Sequence, residues 1–307
     1  MKILFVWKQT NWTNGGEKKP FEFIDQQISS LVAIGIKVDV HVLESKWQYL
    51  DLLSLRRLSK AKNYDLVHCH FGFSAIPCLL IDRPLFVSYI GSDINIRINN
   101  FVSSLIGLRA RRRLFVSERL KSKSYYSKKS DLVLPYGVDL RVFYPIEKED
   151  ARRQLGWDSD KNYCLFPSNP SRPEKNYSGA LEMLKGFMNL EIVVFDRWRT
   201  KEVVNLMYNA CDFVIFTSIM EGSPQVMKEA CATNTPIVAN NVGDVAVLLE
   251  GVQNCFICDE ENINDARNFI AFVFGNETRS NGREKLECIS LEETAIKLAA
   301  YYRANKN

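Results

Sequence analysis

The chain alternates short, unbroken apolar runs with helical patterns, and it does so twice. "KILFVW" (2–7) is the first run. Such a run, with no polar alternation, marks a parallel strand covered on both faces. "KVDVHVL" (37–43), "DLVHCH" (65–70), "PLFVSYI" (84–90), "RRLFVS" (112–117) and "DLVLPYG" (131–137) follow. Between the first two, Phe23, Gln27, Ile28 and Leu31 recur at helical spacing, and Gly35 supplies a stop. A further helix is predicted within 47–60. After 146 the alternation starts again, with strands at 162–168, 190–195, 212–218 and 235–240 and helices between them. Strand and helix in turn, at this spacing, give parallel βαβ units and a doubly wound sheet. The expected architecture is α/β, with two doubly wound, Rossmann-like domains facing a central cleft. Ligands bind there, outside the strand carboxyl ends.

The predicted hinge lies near 141–150, where "RVFYPIEKED" passes from apolar to charged. Domain one is therefore 1–145 and domain two 146–289. The tail from about 290 to 307 is an amphipathic helix with Leu291, Ala295, Leu298 and Tyr302 on one face, a stripe that needs a partner to bury it. Ser290 and Glu293 form a capping box at its start. Residues 1–146 hold 22 Lys and Arg against 12 Asp and Glu, a net +10; residues 147–307 hold 18 against 24, a net −6. Halves of opposite sign suit two domains with different partners. No apolar stretch nears the ~20 residues of a membrane span, and "MKILFVWKQTNW" lacks the form of a signal peptide, so a cytoplasmic protein is expected. Several of the eight cysteines lie in apolar runs, as reduced core cysteines do. "CFIC" (255–258) has metal-like spacing without a second pair, so no metal is assigned.

The chemistry concentrates at 216–238, "FTSIMEGSPQVMKEACATNTPIV". An apolar strand ends in a Gly-Ser-Pro turn and a helix begins. Ser223 fits the N-cap and Pro224 the first helical position. Amides at 222–225, with the positive end of the helix dipole, make an anion site. Gly222 lets backbone approach a ligand, and Gln225 opens the helix. Glu221 can accept hydrogen bonds from sugar hydroxyls, and Glu229, a turn and a half on, can reach a ribose. The plainer alternative makes Ser-Pro a cap and the glutamates exposed helix residues.

"EGSPQVMKEACATNTPIVANNVGDV" resembles the signature of the retaining glycosyltransferases of family four, which have the two-domain GT-B fold. "NGG" (14–16), "DLVHCHFG" (65–72), "GSDIN" (91–95), "FVSERL" (115–120), "LPYGVDLRVFYP" (134–145) and "RPEKN" (172–176) resemble further motifs of that family in order along nearly the whole chain. The resemblance implies transfer of a sugar from a nucleotide-diphosphate sugar, such as a UDP-sugar, to a glycan or lipid-linked acceptor, with retention and without a metal or other cofactor. Surface polysaccharide or glycoconjugate synthesis is the implied setting. It places Lys175 and Arg172 on the diphosphate, where they stabilise charge that grows as the glycosidic bond breaks. It also brings Gly15 and Gly16 to the diphosphate from domain one, and it implies that the tail helix (about 290 to 307) crosses back to complete that domain.

The chain departs from the family in three places. Many members have a histidine before "GSD"; here Ile90 stands there, and Asp93 is the candidate for its contact. His68 and His70 are expected to face opposite sides of their strand, with His70 toward the cleft. Arg172 and Lys175 lie closer together than the family's clamp, and only about 17 residues separate 190–195 from 212–218, so a reduced second sheet is expected. Two alternatives remain: a nucleotide-sugar epimerase or inverting transferase of the same fold, and a non-catalytic nucleotide-sugar-binding partner of another transferase. Finally, 109–129, "RARRRLFVSERLKSKSYYSKK", holds nine Lys or Arg and one acid. No nucleic-acid-binding fold accompanies it, so contact with an anionic membrane is expected, a solvated face being the alternative.

Overall fold

A computed structural model of the 307-residue chain describes all residues except 9–12, 15–16, 19–21, 46–47, 49–51, 260, 277 and 307. It divides into two compact units, Met1–Gly137 with Leu291–Asn307, and Val138–Ser290.

The first unit runs β1 (Lys2–Lys8), a small antiparallel hairpin of β2 (Thr13–Asn14) and β3 (Glu17–Lys18), α1 (Glu22–Ala33), β4 (Lys37–Leu43), α2 (Leu52–Lys62) and β5 (Leu66–His70). β6 (Leu85–Tyr89), α3 (Ser92–Asn95), α4 (Arg97–Gly107), β7 (Arg112–Phe115), α5 (Glu118–Lys123) and β8 (Leu132–Val133) complete it. The sheet is parallel, ordered β4-β1-β5-β6-β7-β8. The middle of β1 and all of β5 and β6 are buried, as their unbroken apolar runs require. Gly35 sits at φ 82°, the left-handed stop that ends α1.

The second unit runs α6 (Lys148–Leu155), β9 (Asn162–Phe166), α7 (Tyr177–Leu184), β10 (Leu190–Val194), α8 (Lys201–Ala210), β11 (Phe213–Phe216), α9 (Gln225–Ala232), β12 (Ile237–Asn240), α10 (Val245–Leu249), β13 (Cys255–Cys258) and α11 (Ile263–Asn276). Its parallel sheet has the order β10-β9-β11-β12-β13, five strands against six in the first unit. Only α8 lies between β10 and β11. The "CFIC" stretch is the fifth strand, not a ligand loop: it pairs along its length with β12. All eight cysteines are free, six of them buried.

The chain then returns as α12 (Leu291–Asn305), whose Ala295, Leu298, Ala299 and Tyr302 join Ile3, Phe5, Ile24 and Phe86 in one apolar cluster of the first unit. The division between units falls at Gly137/Val138, ahead of the 141–150 passage. The reason is local: Val138 and Phe143 belong to the second core, and the amides of Tyr144 and Ile146 donate to the Asn205 and Asn209 side chains at 3.1 and 2.8 Å.

The basic stretch at 109–129 is not a uniform surface. Arg113 is buried and paired with Asp131 at 3.0 Å, and it donates to the Tyr126 carbonyl. Arg111 and Arg112 donate to the carbonyl and side chain of Asn305 at 2.8 and 2.5 Å. These three arginines fasten β7 within its unit. No described helix is long and apolar enough to cross a membrane.

Candidate functional site

In each sheet the strand order reverses at one point, β1/β5 in the first unit and β9/β11 in the second. In open α/β sheets ligands bind at such points, outside the strand carboxyl ends. The chain leaving β9 carries Arg172 and Lys175; the chain leaving β11 carries Glu221. In the second unit these meet: Lys175 Nζ is ion-paired with Glu221 Oε1, with both side chains mostly but not fully covered. The Lys175 ammonium also lies 5.9 Å from the Phe216 ring centroid. The two loops are stitched together by backbone and side-chain bonds. Thr217 Oγ1 donates to the carbonyls of Lys175 (3.1 Å) and Asn176 (2.8 Å), and Ile219 N donates to the Glu174 carbonyl (3.0 Å). Asn176 can serve as the pivot because it takes the left-handed conformation (φ 52°) and caps α7 through Gly179 N. Arg172 bonds instead to Glu174, two residues on, through Nε at 2.7 Å.

The turn before α9 departs from the expected capping. Pro224, not Ser223, is the N-cap residue, and Gln225 is the first helical residue. Ser223 is drawn away because its hydroxyl donates to Asp244 Oδ2 at 2.6 Å. Pro224 has no N–H, so the first amide of the helix is that of Gln225, and Gly222 and Ser223 lie in the turn before it. Gly243 holds φ +59°, and a Cβ there would meet the Gly222 carbonyl oxygen at 2.8 Å. Only glycine permits this contact between the "VGD" loop and the Glu221-Gly222 turn.

Two further residues support the turn, Asp244 and Lys228. Asp244 is largely buried, which raises its carboxyl above the usual range, while Lys228 and the Ser223 hydroxyl pull it down. Lys228 is fully buried and donates to Gln225 Oε1 at 2.8 Å; burial pushes its ammonium down to about 8, against the pull of Asp244 and Glu229. No role for either residue was read from the sequence, although Asp244 stands in the "VGD" motif. A lysine midway along a helix that begins with a turn of small residues was the available signal. Glu229 is half-buried, and its Oε2 accepts from the hydroxyl of buried Tyr208 at 3.0 Å. That bond fixes one carboxylate oxygen.

The first unit's reversal point is different in kind. His68 and His70 face the same side of β5, their rings 4.4 Å apart, contrary to the expectation of opposite sides. The reason is the strand's period of two, which puts residues i and i+2 on one face. Both are fully buried, and burial pushes both imidazoles down, His70 to about 3, so both are neutral near pH 7. His68 bonds to the Tyr302 hydroxyl and to Ser88 Oγ (2.8 Å). His70 Nδ1 bonds to the Tyr136 hydroxyl at 2.8 Å, and its Nε2 has no partner among the described residues. Phe71, next in the chain, sits at φ 76°, a region rare for a residue with a Cβ.

Asp93 is fully buried, and its carboxylate accepts from the amides of Gly72 (3.2 Å), Ile90 (3.1 Å) and Gly91 (2.8 Å). It holds together the loops after β5 and β6, with burial raising its carboxyl to about 6 against those amides. Ile90 packs against the core. Gly15 and Gly16 lie outside the described residues.

With these geometries in place, similarity to known proteins can be set against them. Residues 189–287 match the family described as glycosyl transferases group 1. The chain resembles the group 1 glycosyl transferases. TuaC of Bacillus subtilis (strain 168), provisionally assigned as a teichuronic acid biosynthesis glycosyltransferase, is 26% identical over 223 residues. That alignment takes in 63% of this chain and 57% of TuaC, so the chain spans little more than half of that relative. The sucrose-phosphate synthase (tll1590) from Thermosynechococcus elongatus superposes with a TM-score of 0.77 at 16% identity, over 99% of each chain. Anabaena Alr3699/HepE in complex with UDP gives 0.76 at 16% over 99% of this chain and 100% of that one; its complex with UDP-glucose gives 0.74 at 17%. At such identities the shared property is the fold, two parallel-sheet α/β units of the GT-B kind.

Proposed function

We propose that this chain is a retaining glycosyltransferase that moves a sugar from a nucleotide-diphosphate sugar to a glycan or lipid-linked acceptor. The observation that carries the reading is the Lys175–Glu221 ion pair at the reversal point of the second sheet, beside the start of α9. The reading is supported by the family match over 189–287. It is also supported by the UDP and UDP-glucose complexes of a protein that shares the fold.

In this reading the diphosphate lies against Lys175 and the amides of Gly222, Ser223 and Gln225. Positive charge placed there stabilises the leaving group as negative charge grows on it. Lys175 thus supplies the charge a metal would otherwise provide, and no metal is required. Glu221 shares its carboxylate between Lys175 and the sugar hydroxyls, and Glu229 accepts from the ribose. Arg172, tied to Glu174, is the weaker partner of the clamp. The bond between the anomeric carbon and the phosphate oxygen breaks, and a bond to the acceptor oxygen forms on the same face. The acceptor's proton passes to the departing phosphate oxygen, so no carboxylate nucleophile is needed. The first unit serves the acceptor, with Asp93 and His70 shaping its loops. Synthesis of a surface polysaccharide fits the likeness to TuaC.

A non-catalytic nucleotide-sugar-binding role is favoured by one observation only: the partly buried, apolar Ile90 packs against the core where many family members carry a histidine. The test is an assay of nucleotide release from a panel of nucleotide sugars, with and without glycan acceptors, the product's anomeric configuration being read by NMR. Transfer with retention supports the proposal. An inverted product, or nucleotide-sugar binding without any release or transfer, overturns it.

A further inference from the structure

α4 covers a largely polar, small face and leaves an apolar one outside. Asn100, Ser103, Ser104 and Gly107 are buried, with Ile106 the one large apolar side chain buried among them and Val102 partly covered. Its outer face is apolar. Ile98 is 76% exposed, Phe101 52%, Leu105 42% and Leu108 56%. Positions 98, 101, 105 and 108 recur at steps of three and four, so they form one stripe along the helix. Turning this stripe inward would satisfy burial, yet specific bonds hold it outward. Asn100 Nδ2 donates to the Lys123 carbonyl at 2.8 Å, Ser104 Oγ donates to Asn100 Oδ1 at 2.9 Å, and Ser104 meets Ser124 at 3.1 Å. The Tyr89 hydroxyl donates to the Ser103 carbonyl at 3.0 Å. At Gly72 and Gly107 the packing leaves no room for a side chain: an added Cβ would meet Ser103 and Tyr89 at 2.3 and 2.0 Å. The polar face is thus fitted to its seat, and the apolar face is left in water.

These same bonds set the basic stretch beside the stripe. The segment that receives Asn100 and Ser104 is 123–125, and the exposed Tyr125 ring lies 6.4 Å from that of Phe101, edge to face. Arg97 opens the helix and Arg109 follows it, and Arg119, Lys123, Lys128 and Lys129 are exposed in the segments that follow. From 97 to 129 there are ten Lys or Arg and one acid, Glu118; Arg111, Arg112 and Arg113 are taken up by Asn305 and Asp131, which leaves seven to the surface around the helix.

We propose that the α4 stripe, with the basic residues around it, docks this protein on an anionic lipid bilayer, Ile98, Phe101, Leu105 and Leu108 entering the headgroup–acyl boundary. An apolar helix face edged by Lys and Arg and almost without acids is the pattern of a helix that lies in a membrane interface. The charge selects this occupant. A second copy of the chain would set one basic face against another. A nucleic acid would satisfy the arginines and lysines but leave four aliphatic and aromatic side chains in water. The inference does not depend on the transfer chemistry. It agrees with a lipid-linked acceptor, because the covered face of α4 packs on the loop after β5, where Gly72 touches Ser103.

The test is co-sedimentation of the full chain with phosphatidylglycerol–phosphatidylcholine vesicles and with pure phosphatidylcholine vesicles, at low and high salt. The parent protein is expected to partition at least about tenfold better onto the anionic vesicles, and to lose that preference in high salt. Two variants separate the contributions: Ile98→Ser with Phe101→Ser and Leu105→Ser, and Arg97→Gln with Arg109→Gln, Lys128→Gln and Lys129→Gln. All seven side chains are exposed, so both variants should melt with the parent. Each is expected to lower partitioning about tenfold or more. No preference for anionic vesicles in the parent overturns the proposal. So does serine-variant binding equal to the parent's, a parent dimer that the serine variant abolishes, or nucleic-acid binding that takes the place of vesicle binding.

Discussion

The two reversal points of the molecule are built alike and equipped differently. In the first unit, the groups at the strand ends are sealed: His68, His70 and Asp93 have no exposed surface, and the carboxylate is taken up by three backbone amides. In the second, Lys175, Glu221 and Glu229 are partly open; Lys175 pairs with Glu221, and Glu229 accepts from the Tyr208 hydroxyl. Polar groups sealed inside the protein hold a shape; ionisable groups that reach the surface at the strand ends can bind. Substitutions in the first set should therefore change folding, and substitutions in the second should change binding and turnover with the fold intact.

That contrast can be broken at several points. The largest effect is expected at Arg113→Ala in the first unit. It leaves Asp131 buried and unpaired, a loss of about 3–5 kcal/mol in stability. Chemical denaturation checks this, and nucleotide affinity below the transition should match the parent's. Next is Lys175→Ala. Removing a group that acts on charge developed in the transition state lowers turnover by about 10²–10³, with a smaller change in donor affinity. Steady-state kinetics on a well-folded variant decides it, and an unchanged turnover number removes Lys175 from the chemistry.

A subtler difference is the pH dependence of stability. The Asp93 carboxyl is raised from 3.8 to about 6 in the folded protein. The folded state thus holds a proton that the unfolded chain releases. Its contribution is fully present below pH 3.8 and is lost as pH rises toward 6. Asp93→Asn should flatten the stability profile between those values, measured by melting across pH 4–7; an unchanged slope contradicts the assignment.

The doubly wound frame was legible because parallel strands buried on both faces write themselves as apolar runs, as β1, β5 and β11 do. Glu221 and Glu229 were legible for the same reason: a strand end, a glycine and a helix start fall in sequence order. What could not be read depended on long-range bonds. Ser223 lost its capping role to Asp244, 21 residues away, and the Gly222–Gly243 contact is invisible until the two loops meet. β13 is only four residues long and is interrupted by two cysteines with ligand-like spacing, so its sequence does not mark it as a strand, and no motif marks α11. α4 is the instructive case. Ile98, Phe101, Leu105 and Leu108 have the spacing of a core-facing stripe, and burial by periodicity alone would turn the helix over. Asn100 and Ser104, bonded to 123–125, decide its orientation.

The central claim is that the second unit's open charged groups hold a nucleotide diphosphate. Titration calorimetry of UDP, GDP and ADP against the parent, Glu229→Ala and His70→Phe tests it directly. At least one nucleotide should bind the parent protein. Glu229→Ala should weaken that binding by about 1.5–3 kcal/mol, the loss of a charged hydrogen-bond acceptor, and His70→Phe should leave it unchanged. A parent that binds none of the three, or a Glu229→Ala variant that binds as tightly as the parent, would contradict the account.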